Sequence, residues 1–113
     1  MSKHYQKDSL NEIAGGDPDF MGIVAKTFLE EIPPDLQAMN EAIANDNKEL
    51  AYQFAHKMKP NFEMLGIELK KEITFIEDWT RTSKSNAVVD NHLAKVNDIL
   101  QEVFKELKAD YHL

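Results

Sequence analysis

The apolar residues between positions 51 and 69 recur at the spacing of an α-helix. Placed at about 100° per residue, they fall within about 60° of one line, and such a stripe is typical of a helix buried on one side. Its members are Ala51, Phe54, Ala55, Met58, Phe62, Leu65 and Leu69. His56 projects nearly opposite this stripe. The spacing therefore predicts a long helix with one buried face and a histidine near the middle of the other.

The same apolar period runs through the preceding segment and predicts another helix over about residues 18–44. Asp17 supplies its N-cap, and Pro18 occupies the first helical position, where its fixed backbone angle suits a helix start. The period continues past Pro33-Pro34, so one long helix, kinked at the prolines, is predicted. Two shorter helices remain the alternative, because proline disfavours helical geometry in the residue before it.

The other segments follow the same pattern. The predicted elements are a short helix from near Asp8 or Ser9 to Gly15, the histidine helix over about 47–64 with Asp46 and Glu49 as a capping box, a fourth helix from Leu69 to Trp79, a loop over 80–86 and a last helix over about 86–109. The expected core includes Leu10, Ile13, Phe20, Phe28, Ile32, Ile73 and Ile76, with Phe75 beside them. No stretch alternates with period two for long enough to form a strand. The predicted fold is therefore all-α, a single domain over residues 1–113 built as an antiparallel up-down four-helix bundle with a short extra N-terminal helix.

The composition of the chain argues against several classes of function and site. The 113 residues, 42% of them hydrophobic, suffice for one modest core. Cysteine is absent, which excludes disulfides and Cys-based zinc sites. A net charge of −7 argues against nonspecific nucleic-acid binding. No apolar run approaches the roughly 20 residues of a membrane span, and the N-terminus lacks the apolar core of a signal peptide. A cytoplasmic protein is expected.

The residues around the histidine form a recognisable motif. Ala55-His56 precedes the apolar Met58, Lys59 follows three residues after the histidine, and Gly66 follows ten after it. This run resembles the histidine-phosphotransfer (HPt) family, whose usual pattern is His, any residue, Leu, Lys, Gly, then small residues, ending in an apolar–Gly–small group. Gly66 is expected to end the histidine helix or to mark a close packing contact.

The chain departs from that family at the position after the lysine. Pro60 stands where the family normally has glycine, and Asn61 and the bulky Phe62 replace small residues. Proline inside a helix removes the hydrogen bond to the carbonyl four residues back, here that of His56, which costs roughly 3 kcal/mol where it is not accommodated. Pro60 is nevertheless compact, so it leaves the surface beside His56 open.

The resemblance implies a phosphorelay carrier that is not itself an enzyme. Family members are small four-helix bundles that carry a phosphoryl group on the histidine, here His56. Lys59 would neutralise the phosphoryl charge, and Lys57 could assist from the other flank. The implied partners are response-regulator receiver domains and a hybrid sensor histidine kinase. The receiver brings Mg²⁺, so no cofactor or metal is expected in this chain. A free-standing monomer without autokinase activity is expected.

A docking surface is predicted around His56. On the helical wheel Met64 and Ile67 lie on or near the histidine face as an apolar patch, and Gln53 and Glu63 form a polar rim. The predicted docking residues are Gln53, Lys57, Pro60, Glu63, Met64 and Ile67.

A second hypothesis stays open. Pro60 and Phe62 could mark a helical adaptor that docks receiver or kinase partners but is not phosphorylated. A metalloprotein is disfavoured, because the other histidines (His4, His92 and His112) lack the Glu-x-x-His and His-Glu-x-x-His patterns.

Overall fold

The computed structural model describes residues 4–113, and within that range the chain is all-helical, with no strand. The helices are α1 (Lys7–Ile13), α2 (Pro18–Ala44), α3 (Lys48–Met64), α4 (Lys70–Trp79) and α5 (Asp90–Tyr111), with a 3₁₀ turn (Asn86–Val89) leading into α5. The all-α prediction is confirmed for this range; residues 1–3, which the predicted domain includes, lie outside it. No helix in the described part of the chain is both long and apolar enough to cross a membrane.

The four longer helices pack as a closed ring. α2 packs against α3 and α5, α4 packs against both α3 and α5, and α1 contacts α2 and α3. Each helix contributes one buried face to a single core. The largest side chains with almost no exposure are Tyr5, Phe62, Leu10, Ile32, Met39, Met58, Leu65, Leu69, Ile73, Ile76, Leu100 and Leu107. α3, which carries the histidine, therefore has neighbours on its inner side and is open on the outer one.

α2 is one continuous helix across Pro33-Pro34, which confirms the choice of one helix over two. Its start is also as predicted: Asp17 is the N-cap, its carboxylate accepts a hydrogen bond from the Asp19 N–H at 3.0 Å, and Pro18 is the first helical residue. The long apolar period on both sides of the prolines supplies enough burial to keep the helix unbroken.

The ends of α2 and α3 explain one wrong prediction. The N-cap of α3 is Asn47, whose side chain accepts a hydrogen bond from the Leu50 N–H at 3.2 Å, and not Asp46. Asp46 instead has a left-handed backbone with φ of 56°. Its N–H donates to Ile43 and that of Asn47 to Ala42, the paired bonds of a Schellman helix end. Because Asp46 ends α2, it cannot also cap α3.

Two residues of the predicted apolar faces are exposed, and so is Phe75, which was predicted to lie beside one of these faces. Phe20 is 43% exposed, and Ile13 and Phe75 are exposed to a similar degree. A run of four-residue intervals drifts by about 40° per step around a helix. Phe20 stands three such steps before Ile32, so it has rotated off the buried face, and Met21 is buried near that end of α2 instead. Phe75 stacks on the ring of His92 with the centroids 3.8 Å apart.

Candidate functional site

His56 lies on the outer face of α3, with 66% of its side chain exposed. Its neighbours Ala55 and Met58 point the other way and are fully buried, so the helical spacing alone aims the imidazole at solvent. Pro60 is exposed one turn further on, within the unbroken α3. Because proline has no N–H, the His56 carbonyl has no donor four residues ahead.

Glu77 of α4 joins the histidine to the lysine of the motif. Its Oε2 lies 3.1 Å from Nδ1 of His56, and its Oε1 accepts a hydrogen bond from Nζ of Lys59 at 2.9 Å. Only 9% of the Glu77 side chain is exposed, whereas Lys59 is about a quarter exposed. Packing of α4 against α3 therefore places one buried carboxylate beneath both motif residues.

The electrostatics of this group favour its ionised form. Burial by itself would raise the pKa of Glu77, but the hydrogen bonds from Lys59 and His56 outweigh burial and hold that pKa below its ordinary value. The hydrogen bond to Glu77 raises the pKa of Lys59, against the smaller opposing effect of burial. Glu77 is therefore a carboxylate and Lys59 an ammonium at neutral pH.

The charge of Glu77 determines which imidazole nitrogen is free. A carboxylate can only accept hydrogen bonds, so Nδ1 of His56 must carry the proton that it shares with Glu77. In the neutral ring the lone pair then sits on Nε2. Nε2 has no hydrogen-bond partner within residues 4–113. The arrangement presents a nucleophilic nitrogen to solvent and holds the opposite nitrogen in place.

Lys57 points to a different neighbour. Its Nζ lies 3.1 Å from Oδ1 of Asp35, a nearly buried residue of α2. The structure thus brings Lys59, and not Lys57, into the group that contains His56 and Glu77.

The predicted apolar docking patch is only partly present. Gln53 and Glu63 are exposed as expected, and Met64 is half-buried. Ile67, however, is 5% exposed and belongs to the core, so its place in the patch is wrong. The helix ends at Met64, and the helical wheel does not apply beyond it.

Gly66 is the cause of that difference. It has a φ of +64°, its N–H donates to Glu63, and the Ile67 N–H donates back to Phe62. This Schellman end turns the chain inward and commonly buries the residue after the glycine. A Cβ on Gly66 would also lie 2.5 Å from the Cγ of Gln6. The glycine therefore ends the helix and is a close packing point, the two roles predicted for it.

One further residue stacks on the histidine, and a second contacts that neighbour. Tyr52, one turn before His56, stacks on the imidazole with the ring centroids 5.5 Å apart and the planes 11° from parallel. Arg81, in the loop after α4, places its guanidinium carbon 5.7 Å from the centroid of the Tyr52 ring. On this face the histidine therefore has an aromatic neighbour and, beyond it, a cation.

The sequence reasoning missed Glu77, Tyr52 and Arg81, although each left a signal. Glu77 stands four residues after Ile73, in phase with the buried face of α4, so it is a charged residue at a core position. Tyr52 is one turn from the histidine on the same helix face. Arg81 is the single arginine of the chain. Their convergence depends on how α3 and α4 pack, which spacing does not give.

One group elsewhere has the geometry of potential metal ligands. Ligand atoms of His4, Glu102 and Glu106 lie within 4.8 Å of one another. The contact between His4 and Glu106 is already a hydrogen bond of 2.6 Å from Nδ1 to Oε2. The group joins the N-terminal segment to α5 and contains none of the residues around His56.

Comparison of the chain with known protein families, with curated proteins and with solved structures finds no match. The resemblance to the HPt family consequently depends on the motif residues themselves.

Proposed function

We propose that this protein is a phosphocarrier of a phosphorelay, which accepts a phosphoryl group on His56 and passes it to an aspartate of a receiver domain. The observation that carries the proposal is the exposed imidazole whose Nδ1 lies 3.1 Å from the Glu77 carboxylate. The same carboxylate also accepts a hydrogen bond from Lys59 of the motif, so it joins the two residues that the motif predicts to act together. The proposal agrees with the motif residues Lys59 and Gly66.

The transfer step follows from the orientation of the ring. The lone pair on Nε2 of His56 attacks the phosphorus of the aspartyl phosphate on the partner. As the N–P bond forms, the P–O bond to the aspartate breaks, and the carboxylate leaves with its electron pair. The neutral ring needs no base for this step, because its Nε2 carries a lone pair in place of a proton. The exposed position of the ring on a helix permits the in-line approach that this displacement requires.

Glu77 and Lys59 have complementary roles in this step. A ring that holds a proton on Nδ1 and a phosphoryl group on Nε2 is positively charged, and the Glu77 carboxylate offsets that charge as it develops. The phosphoryl group itself adds roughly −1.5 to −2 charge. Lys59, held near the site through Glu77, would reduce that negative charge. Neither residue exchanges a proton during transfer.

The proposal includes the finer features predicted from the sequence. The ring of α2 to α5 would form an antiparallel up-down four-helix bundle with α1 packed on it, as in the HPt family. The protein would act as a monomer in the cytoplasm between receiver domains, one of them attached to a hybrid sensor histidine kinase. The receiver would supply Mg²⁺.

The test is phosphoryl transfer from a receiver. The full chain is incubated with phosphorylated receiver domains of the same organism, and label that is acid-labile and base-stable is measured on the chain. We expect label on the wild type and on His112→Gln, which removes another exposed histidine, and none on His56→Gln. Docking of a receiver without any label, across all receivers tested, would instead support the adaptor hypothesis.

A further inference from the structure

We propose that Arg81 is a second phosphoryl-binding residue, which contacts the oxygens of the phosphoryl group on His56 from the side of Tyr52. The inference rests on the proposed function and assigns a role to a residue outside the family motif. It also places the recognition surface towards the N-terminal part of α3, and not towards Ile67.

The position of Arg81 is built by the chain around it. Nζ of Lys48 donates hydrogen bonds to the carbonyls of Thr82 and Lys84, and the indole N–H of Trp79 donates to the carbonyls of Lys84 and Ser85. The hydroxyl of Thr80 closes the end of α4 on the Glu77 carbonyl. These hydrogen bonds hold the loop against α3 and α4 on both sides of Arg81. The position of the Arg81 backbone is therefore fixed.

The guanidinium of Arg81 forms no ion pair with the described part of the chain. Within residues 4–113 no carboxylate lies within ion-pair distance of Arg81, whereas Lys59 and Lys57 are paired with Glu77 and Asp35. The contact that Arg81 does make is with the face of Tyr52, and exposed cation–π contacts of this kind are weak. Arg81 is thus the cation on this face most easily recruited by a new anion.

The space beside Tyr52, the aromatic neighbour of the histidine, suits this recruitment. An open cleft of about 580 Å³ lies along the first turns of α3 and the end of α4, next to Tyr52. The residues that line it are Lys48, Glu49, Tyr52, Gln53, Thr80 and Arg81. Glu49 is the acid among these residues, and it forms no ion pair with Arg81. Lys48 already donates hydrogen bonds to the loop carbonyls, which leaves Arg81 as the available cation. A phosphoryl group on Nε2 would stand beside the Tyr52 ring that carries the guanidinium.

Arginine is the side chain best matched to this ligand. Its planar guanidinium donates two parallel hydrogen bonds to phosphate oxygens, which a lysine ammonium cannot do. Tyr52 contacts the imidazole on one side and supports the guanidinium, so one aromatic ring would set the spacing between the two. Phosphorylation would draw Arg81 from the ring towards the phosphoryl oxygens.

The experiment places the phosphoryl group chemically, so that it does not depend on a receiver. Phosphoramidate phosphorylates the ¹⁵N-labelled full chain: its P–N bond breaks, the N–P bond to Nε2 forms, and ammonia leaves. Because the chain has a single arginine, its Nε–Hε resonance is assigned without ambiguity. We expect this resonance to shift on phosphorylation of the wild type and to stay unchanged in His56→Gln.

A titration followed by ³¹P NMR measures the same contact from the phosphoryl side. A nearby cation favours the dianion, so Arg81→Gln should raise the second phosphoryl pKa by about 0.5 or more. Lys84→Gln removes the same charge from the same loop and should leave that pKa unchanged, because Lys84 bonds only through its backbone and its ammonium has no partner within residues 4–113. Tyr52→Phe should behave as wild type, and Tyr52→Leu should resemble Arg81→Gln.

The outcomes separate the two proposals. An unmoved arginine resonance, or equal phosphoryl pKa values in Arg81→Gln and Lys84→Gln, would overturn the role of Arg81 while leaving receiver transfer to His56 intact. A response of Arg81 to the chemically placed group, together with no transfer from any receiver, would overturn the carrier function and keep this site. The absence of any phosphorus signal that depends on His56 would overturn both.

Discussion

The two faces of α3 are specified in different ways. The inner face, with Ala51, Ala55, Met58 and Phe62 buried, follows from the spacing of apolar residues within one helix. The outer face gains its chemistry from other elements, because Glu77 comes from α4 and Arg81 from the loop after it. The inner face therefore fixes where the histidine points, and the outer face fixes what the histidine can do. Changes to the two faces should separate stability from transfer.

The largest effect is expected on the inner face. Phe62 is 2% exposed in the middle of the core. Phe62→Ala should lower the free energy of unfolding by about 3–5 kcal/mol, the usual range for a lost buried phenylalanine. Chemical denaturation measures it, with the adjacent exposed residue as control: Glu63→Ala should change stability by less than about 0.5 kcal/mol. Similar losses in the two variants would contradict the separation of the faces.

The next effect concerns the outer face and should appear in the rate of phosphoryl transfer. Glu77→Gln keeps a hydrogen-bond acceptor for Nδ1 of His56 but removes the negative charge. We expect transfer from a phosphorylated receiver to slow by about 10- to 100-fold, the range for carboxylates that orient histidines at metal sites. Single-turnover kinetics measures it. The neighbouring exposed acid provides the matched control, since Asp78→Asn should transfer at the wild-type rate; equal rates in both variants would rule out the role given to Glu77.

An intermediate effect, on the free energy of unfolding, is expected at Gly66, where α3 ends. Gly66→Ala would force a side chain into a left-handed backbone, which costs about 1–2 kcal/mol, and would press on Gln6 and Ser9 in addition. Gly22 of α2 is the control, because a Cβ there meets nothing within 4 Å. Gly22→Ala should raise stability by up to about 1 kcal/mol. Thermal or denaturant unfolding of the pair checks the opposite signs; stabilisation by both substitutions would contradict the packing described at Gly66.

The smallest effect is a pH dependence of stability. The pKa of Glu77 is lowered in the folded protein, so its contribution is present above the ordinary glutamate value of about 4.3 and is lost as the pH falls through the lower folded value. The raised pKa of Lys59 acts at the other end, where stability is lost only as the pH rises through its elevated value. The difference in unfolding free energy between wild type and Glu77→Gln should therefore be constant near neutral pH and shrink in acid. A difference that grows in acid would contradict this sign.

Helical spacing predicted most of the fold but misplaced individual residues near the helix ends. The long period in α2 was enough to predict an unbroken helix through Pro33-Pro34, because burial along the whole helix outweighs the local effect of proline. The same spacing misplaced Phe20, since a strict interval of four drifts around the helix. Ile67 was misplaced because a helical wheel says nothing of the residue after a left-handed glycine.

The site was predictable only in part. His56 and Lys59 belong to one helix, and their spacing carries them to one side. Glu77 lies 21 residues after the histidine, and only the packing of α4 on α3 brings it within hydrogen-bond distance. The sequence shows only that Glu77 is in phase with the buried face of α4. A glutamate at such a position predicts an ion pair, but it does not identify the partner residue. Arg81 required the geometry of a loop, which no apolar period describes.

The most direct test of the account identifies the nitrogen that is phosphorylated. The chain, labelled with ¹⁵N in its histidines, receives phosphate from a receiver, and two-dimensional NMR correlates phosphorus with the imidazole nitrogens. Because the Glu77 carboxylate keeps the proton on Nδ1, we expect a phosphoryl group on Nε2 of His56 alone. A phosphoryl group on Nδ1, on another histidine, or on none would contradict it.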